Sequence, residues 1–172
     1  RRTGSSPEGQ RARLLCARIL MKRGEFAEAD KSLGRVPPTE KSLSAEWHYA
    51  RASLLRRRGR LKSALAECEN AESDASDSGN AALRAECMME SAMILSGLGE
   101  NERALGRLAI AMSEFAGCDN CQDTVRCGIN TGIVLRELGC IREASDALET
   151  AVAKAGRMGR SRLRAQGLAN LT

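Results

Sequence analysis

The chain has 172 residues, 42% hydrophobic and 28% charged, with a formal net charge of +5 and only four aromatic side chains (two Phe, one Trp, one Tyr). A chain of this length can bury a core without disulfide or metal staples, and so few aromatics disfavour a β-sandwich, whose strands draw on aromatic and β-branched residues. Three prolines exclude a collagen-like or proline-rich chain, the single His48 leaves no multi-histidine catalytic apparatus, and no apolar run approaches the ~18 residues of a membrane span.

In chain order, Arg1 to Gly9 reads as a linker. From Gln10 the apolar positions take on helical spacing, as in Leu14, Leu15, Ile19 and Leu20. The pattern breaks at Gly24, resumes, and stops at Pro37-Pro38, since proline disfavours helix at and before itself. The same sentence then recurs: Arg23-Gly24-Glu25-Phe26-Ala27-Glu28-Ala29, Arg58-Gly59-Arg60-Leu61-Lys62-Ser63-Ala64, Leu98-Gly99-Glu100-Asn101-Glu102-Arg103-Ala104 and Leu138-Gly139-Cys140-Ile141-Arg142-Glu143-Ala144. The four glycines are 35, 40 and 40 residues apart. Five residues after each comes Ala (Ala29, Ala64, Ala104, Ala144), and nine after come Leu33, Cys68, Leu108 and Leu148. Twelve after come Val36, Ala71, Ala111 and Ala151; seven before stand Ala17, Ala52, Ala92 and Gly132.

Small residues at fixed places let two helices approach closely, and a glycine between two helical patterns is a left-handed helix terminator. Each unit is therefore expected to be helix, tight turn, helix. The units are expected at 10–38, 43–79, 80–119 and 121–158, with a partial fifth at 160–172. Gly79, Asp119 and Gly159, twenty residues after the turn glycines, imply second helices one to two turns longer than a 34-residue unit allows. Ser73 to Asn80 is the most loop-like stretch within the array. The last unit stops midway, leaving an apolar face after Leu171, so a longer protein is expected.

The order small residue, Gly, an aromatic or aliphatic residue, then Ala, Leu or an aromatic, and Ala resembles the tetratricopeptide repeat, over about four units from Gln10 to Arg157. The resemblance implies an all-α fold, a right-handed superhelical solenoid of antiparallel helix pairs with about four and a half repeats. Gly24, Ala29, Gly59, Ala64, Gly99, Ala104, Gly139 and Ala144 are its structural positions. Units near 40 residues resemble those of bacterial multidomain regulators and scaffold proteins, which implies a protein–protein interaction module in regulation or scaffolding, without catalysis. In such arrays the first helices line a concave groove. The corresponding positions here include Arg18, Lys22, Tyr49, Ser53, Arg56, Arg57, Met89, Met93, Asn130, Ile133 and Arg136.

Charge is uneven along the chain: residues 1–60 sum to +9, residues 61–125 to −8, and residues 126–172 to +4. A groove basic in its first half and Met-rich in its middle suits an acidic peptide with apolar anchors, because Arg pairs bidentately with carboxylates and Met adapts to varied apolar surfaces. Two other readings compete. A helical-repeat nucleic-acid binder is disfavoured by the −8 middle section, which repels phosphate. Self-association through an open C-terminal end at Leu168 and Leu171 is the other.

Seven cysteines at irregular spacing, several inside apolar helical patterns, read as buried thiols of a reducing compartment. With no signal-peptide pattern, an intracellular, cytoplasmic location is expected. Cys118-x2-Cys121-x5-Cys127 with Cys140 has metal-like spacing, but Cys127 and Cys140 fall at opposite ends of one helix, roughly 20 Å apart, too far for one zinc ion. No metal or cofactor is expected, and a redox role for Cys118 and Cys121 stays open. Trp47-His48-Tyr49 gathers the unique Trp, His and Tyr, but a lone His without a partnered nucleophile reads as structural.

Overall fold

A computed structural model describes residues 6–117 and 121–171. Every regular element among them is an α-helix: α1 (Pro7–Arg23), α2 (Phe26–Leu33), α3 (Lys41–Arg57), α4 (Leu61–Asp77), α5 (Ala81–Gly97), α6 (Asn101–Gly117), α7 (Cys121–Glu137), α8 (Ile141–Arg157) and α9 (Ser161–Ala169). The chain divides into two compact units, residues 1–90 and 91–172, with the division inside α5.

The turns follow from local chemistry. Gly24, Gly59, Gly99 and Gly139 take φ of 82°, 73°, 81° and 79°. This left-handed conformation lets the next amide reach back five residues: Glu25 N–H to the Leu20 carbonyl (3.0 Å), Arg60 to Leu55 (3.0 Å), Glu100 to Leu95 (2.9 Å) and Cys140 to Leu135 (2.9 Å). That bond caps the first helix of each pair and starts the return. Gly79 and Gly159 repeat the device at the far end of α4 and α8, with φ of 70° and 64°. It is there that the 17-residue second helices end.

In the first unit α1 packs on α2, α3 packs on α4, and α3 also packs on both helices of the preceding pair. One apolar cluster joins Leu14 and Ala17 of α1, Ala29 and Leu33 of α2, and Leu43, Trp47, Ala50 and Leu54 of α3. The Trp47 indole N–H donates to the Leu33 carbonyl at 2.9 Å, closing the C-terminus of α2. A second cluster holds Ala45, Ala71, Ala75, Leu83 and Cys87, with Tyr49 packed against it. In the second unit α7 packs on α6 and α8, and α9 packs on α7 and α8. Val125, Ile129, Leu148, Ala151 and Ala155 form its core, with Ile133, Met158, Leu163 and Leu171 against it.

Three sequence expectations need correction. Helix starts at Pro7, inside the segment read as a linker: the Ser6 side chain accepts from Gly9 N–H, Pro7 occupies the first turn, and Glu8 adds the acid favoured there. The second helix of the first pair is short, ending at Gly34 (φ 74°). Val36, aligned with the buried Ala71, Ala111 and Ala151, is consequently 80% exposed. Ser73 to Asp77, read as loop, are helical in α4; the terminating signal is Gly79 alone.

Candidate functional site

The groove residues expected from the sequence fall into two groups, those left to solvent and those consumed by the fold. In the first unit Arg18 and Lys22 of α1 and Arg57 of α3 are exposed, and Tyr49 is half-buried. Lys22 and Arg57 stand at the same register, two residues before their turn glycines. The Arg57 guanidinium lies 5.0 Å from the Phe26 ring centroid, a cation–π contact that orients it. Arg18 reaches Glu46 of α3 at 3.6 Å, with both side chains substantially in water; such a pair is weak and easily exchanged.

Ser53, Arg56 and Met89 are different. Met89 is 2% exposed and belongs to the core, not to a binding surface. Ser53 is buried, and its hydroxyl donates to Glu90 Oε1 at 3.0 Å. Arg56 Nε donates to the same oxygen at 2.7 Å, and Arg56 Nη2 approaches Glu90 Oε2 at 3.5 Å. Burial by itself disfavours the Arg56 charge, but the Glu90 carboxylate outweighs it and holds the guanidinium above its ordinary value. The positive charge expected in the groove at Arg56 is therefore neutralised from within, by an acid whose role was missed because it stands 34 residues away in sequence.

A second polar network ties the first two pairs together. His48 Nδ1 sits 2.6 Å from Glu67 Oε2, its ring edge-on to Trp47. Arg51 lies over the Trp47 ring and reaches both Glu67 and Asp30 at 3.4 Å. Asp30 also accepts from Arg58 at 2.8 Å. Trp47 and His48 are thus structural: every polar atom of His48 and Arg51 that the network engages faces a carboxylate of a neighbouring helix. Near the start of α3, Lys41 meets Asp74 at 2.5 Å and Asp77 at 3.3 Å. Burial opposes the Asp74 charge, but hydrogen bonds from Lys41 and Ser44 outweigh it and lower its pKa below the ordinary carboxylate value.

In the second unit Met93 and Asn130 are half-buried, Ile133 packs against the core, and Arg136 donates to the Asn170 carbonyl at 3.2 Å. An open apolar groove of about 580 Å³ lies between α6 and α7, lined by Leu105, Ala109, Met112, Ser113, Ala116, Thr131 and Leu135. Sequence reasoning missed it, although the register held a signal. Ala109 and Ile110 occupy positions where α4 has Glu69 and Asn70 and α8 has Glu149 and Thr150.

Among the described residues no group of three or more metal-ligating side chains comes together. Cys118 and the side chain of Cys121 lie outside the described residues, so the proposed redox pair does too. Cys16, Cys68, Cys87, Cys127 and Cys140 are free thiols. Burial pushes the Cys127 thiol up to about 12 and the Cys87 thiol higher still, so both are protonated at neutral pH. No helix among the described residues is long and apolar enough to cross a membrane.

Residues 4–54 match the family model described as tetratricopeptide repeat. No curated protein sequence matches the chain. Among solved structures, the chain is similar to BtubC (BKLC) from P. vanneervenii, with a TM-score of 0.72 at 22% identity over 90% of this chain and 67% of that one. It is also similar to nearly identical TPR-like repeats of a Podosopora anserina protein assigned as a kinesin light chain, with a TM-score of 0.71 at 17% identity over 96% and 85%. A point-substituted form of the latter gives 0.70 at 17% identity over 94% and 82%. At these identities the likeness establishes the fold, a helical-repeat solenoid.

Proposed function

We propose that this chain, a tetratricopeptide-repeat array, is a protein-interaction module that binds a partner segment on the first-helix face of its N-terminal unit, in a regulatory or scaffolding protein. Repeats of this kind commonly mediate protein–protein contacts. The observation that carries the finer reading is the pair of exposed cations at one register, Lys22 of α1 and Arg57 of α3, with the half-buried Tyr49 on α3 as well. Exposed cations on helices that also carry a partly accessible aromatic suit carboxylates next to an apolar anchor. The partner segment is therefore acidic with apolar residues, and Arg18 adds charge when Glu46 releases it. In the C-terminal unit Met93, Asn130, Ile133 and Arg136 are the corresponding candidates.

The free thiols support a reducing, cytoplasmic setting, and the high thiol pKa values argue against thiol catalysis. The test is binding of fluorescent 12-residue peptides that combine Glu or Asp with Leu or Phe, measured by anisotropy. Peptides that bind the unmodified protein should lose at least ten-fold with Tyr49→Ala combined with Arg57→Glu, and with rising salt. Unchanged affinity in that variant removes the proposed face.

A further inference from the structure

The last two helices carry a block of positive charge that nothing opposes. From Thr150 to Thr172 the chain holds Lys154, Arg157, Arg160, Arg162 and Arg164 and no acidic residue. The four arginines are exposed and Lys154 is half-buried. None of these five side chains has an ion pair or hydrogen-bond acceptor among the described residues. The matching end of α4, eighty residues earlier, carries Asp74 and Asp77 where α8 has Lys154 and Arg157, and Lys41 meets both acids. The repeat itself therefore does not require cations at this place.

Helix electrostatics account for only part of the block. Lys154 and Arg157 lie in the last turn of α8, where cations are favoured. Arg160, Arg162 and Arg164 stand at the start of α9, where positive charge is disfavoured and neither an acid nor a side-chain cap offsets it. Charges that oppose the local fold without compensation mark a functional position. The geometry there is concave: Arg160, Ser161 and Arg164 border an open cavity of about 320 Å³, together with Gly156 of α8 and the apolar Ala165 and Leu168. A Cβ on Gly156 would lie 3.8 Å from Arg164 Cδ and 3.9 Å from its Nε, so the Arg164 side chain crosses α8 where the backbone is bare. A cavity of this size takes a small molecule rather than a chain. The arginine fork grips two oxygens of one phosphate at once. Five positive charges call for more negative charge than a single carboxylate brings, and the apolar lining calls for a moiety beyond the phosphates.

We infer that this cavity binds a small polyphosphate ester of the nucleoside-diphosphate class. Its phosphates meet Arg160, Arg164 and the Ser161 hydroxyl, its remaining part lies against Ala165 and Leu168, and Lys154, Arg157 and Arg162 raise the local potential. The site shares no residue with the first-helix face of the N-terminal unit, so the two readings fail independently. The probe is a fluorescent N-methylanthraniloyl derivative of ADP, added to the full chain at low salt. Anisotropy should show saturable binding, competed by unlabelled ADP and more weakly by inorganic pyrophosphate. Arg160→Ala combined with Arg164→Ala should weaken it at least ten-fold, as expected for lost charge-assisted contacts. Leu168→Ala should weaken ADP and leave pyrophosphate unchanged, and Arg142→Ala, which removes an exposed cation at the start of α8, should change neither. ADP should also raise the melting temperature of the parent but not of the double arginine variant. Circular dichroism checks the fold of that variant, which loses only exposed cations at a helix start. Absence of saturable binding, undiminished binding by the double variant, or equal loss with Arg142→Ala overturns the inference. So does a single-stranded oligonucleotide that binds through Arg160 and Arg164 while ADP and pyrophosphate fail to compete, because the occupant is then a strand.

Discussion

Gly132 replaces the alanine found seven residues before the turn glycine in the other units, at Ala17, Ala52 and Ala92, and the structure explains why nothing larger is present. A Cβ on Gly132 would lie 2.5 Å from Leu148 Cγ, 2.9 Å from Leu148 Cδ2 and 3.1 Å from the Ala144 carbonyl oxygen. Leu148 is buried in the core of the second unit and the carbonyl belongs to α8, so α7 and α8 must move apart. Overpacking of this kind costs about 1–3 kcal/mol. Against it, replacing a mid-helix glycine by alanine gains about 1 kcal/mol in helix propensity. Gly106 of α6 isolates that gain, since a Cβ there meets nothing within 4 Å, and Gly128, 3.2 Å from Ala151 Cβ, lies between the two. Urea unfolding followed by helical circular dichroism should order the variants Gly106→Ala above Gly128→Ala above Gly132→Ala, with the first and last about 1–3 kcal/mol apart. Because repeat stability couples mainly neighbouring units, hydrogen exchange should place the loss in α7 and α8. A Gly132→Ala protein as stable as Gly106→Ala would refute the packing of α7 on α8 described above.

Glu90→Gln leaves Arg56 half-buried without its counter-charge and should destabilise the first unit by about 1–3 kcal/mol; Arg56→Met combined with Glu90→Leu should restore most of it, measured by thermal melts. Asp74 has a lowered folded-state pKa, so its contribution is full above the ordinary Asp value of about 3.9 and fades as pH falls below that value through the folded one. Asp74→Asn should therefore flatten the acid limb of the stability–pH curve and leave a smaller difference from the parent at pH 2 than at pH 7. An aromatic disulfide reagent at pH 8 should modify exposed Cys16 quickly, while Cys68, Cys87 and Cys127 react only on unfolding; equal rates would contradict their burial. Enlarging the buried Ala64 to Leu should cost about 1–3 kcal/mol in urea unfolding.

Much of the helix-pair arrangement was legible because it is local. A glycine at φ near 80° and an alanine five residues later act within one turn, so Gly24-x4-Ala29 and its three counterparts mark the same geometry. The start of α1 was missed although Ser6-Pro7-Glu8 is a capping signature, because composition alone made the segment resemble a linker. The length of α2 was misjudged for the same reason in reverse: the alignment to Ala71 carried Val36 into a helix that Gly34 had ended. The groove residues were the least legible. Register says which side of a helix a residue occupies, but not that Glu90 reaches across to Ser53 and Arg56, nor that Met89 is swallowed by the core. Such pairings depend on the distance between helices, which no single repeat encodes.

The most direct test of the binding face is a two-dimensional ¹H–¹⁵N correlation titration of the 18.5 kDa chain with an acidic–apolar peptide selected for binding. The account predicts shift changes concentrated at Arg18, Lys22, Tyr49 and Arg57 and their neighbours on α1 and α3. Changes confined to the outward faces of α2 and α4, with those residues unmoved, would contradict it.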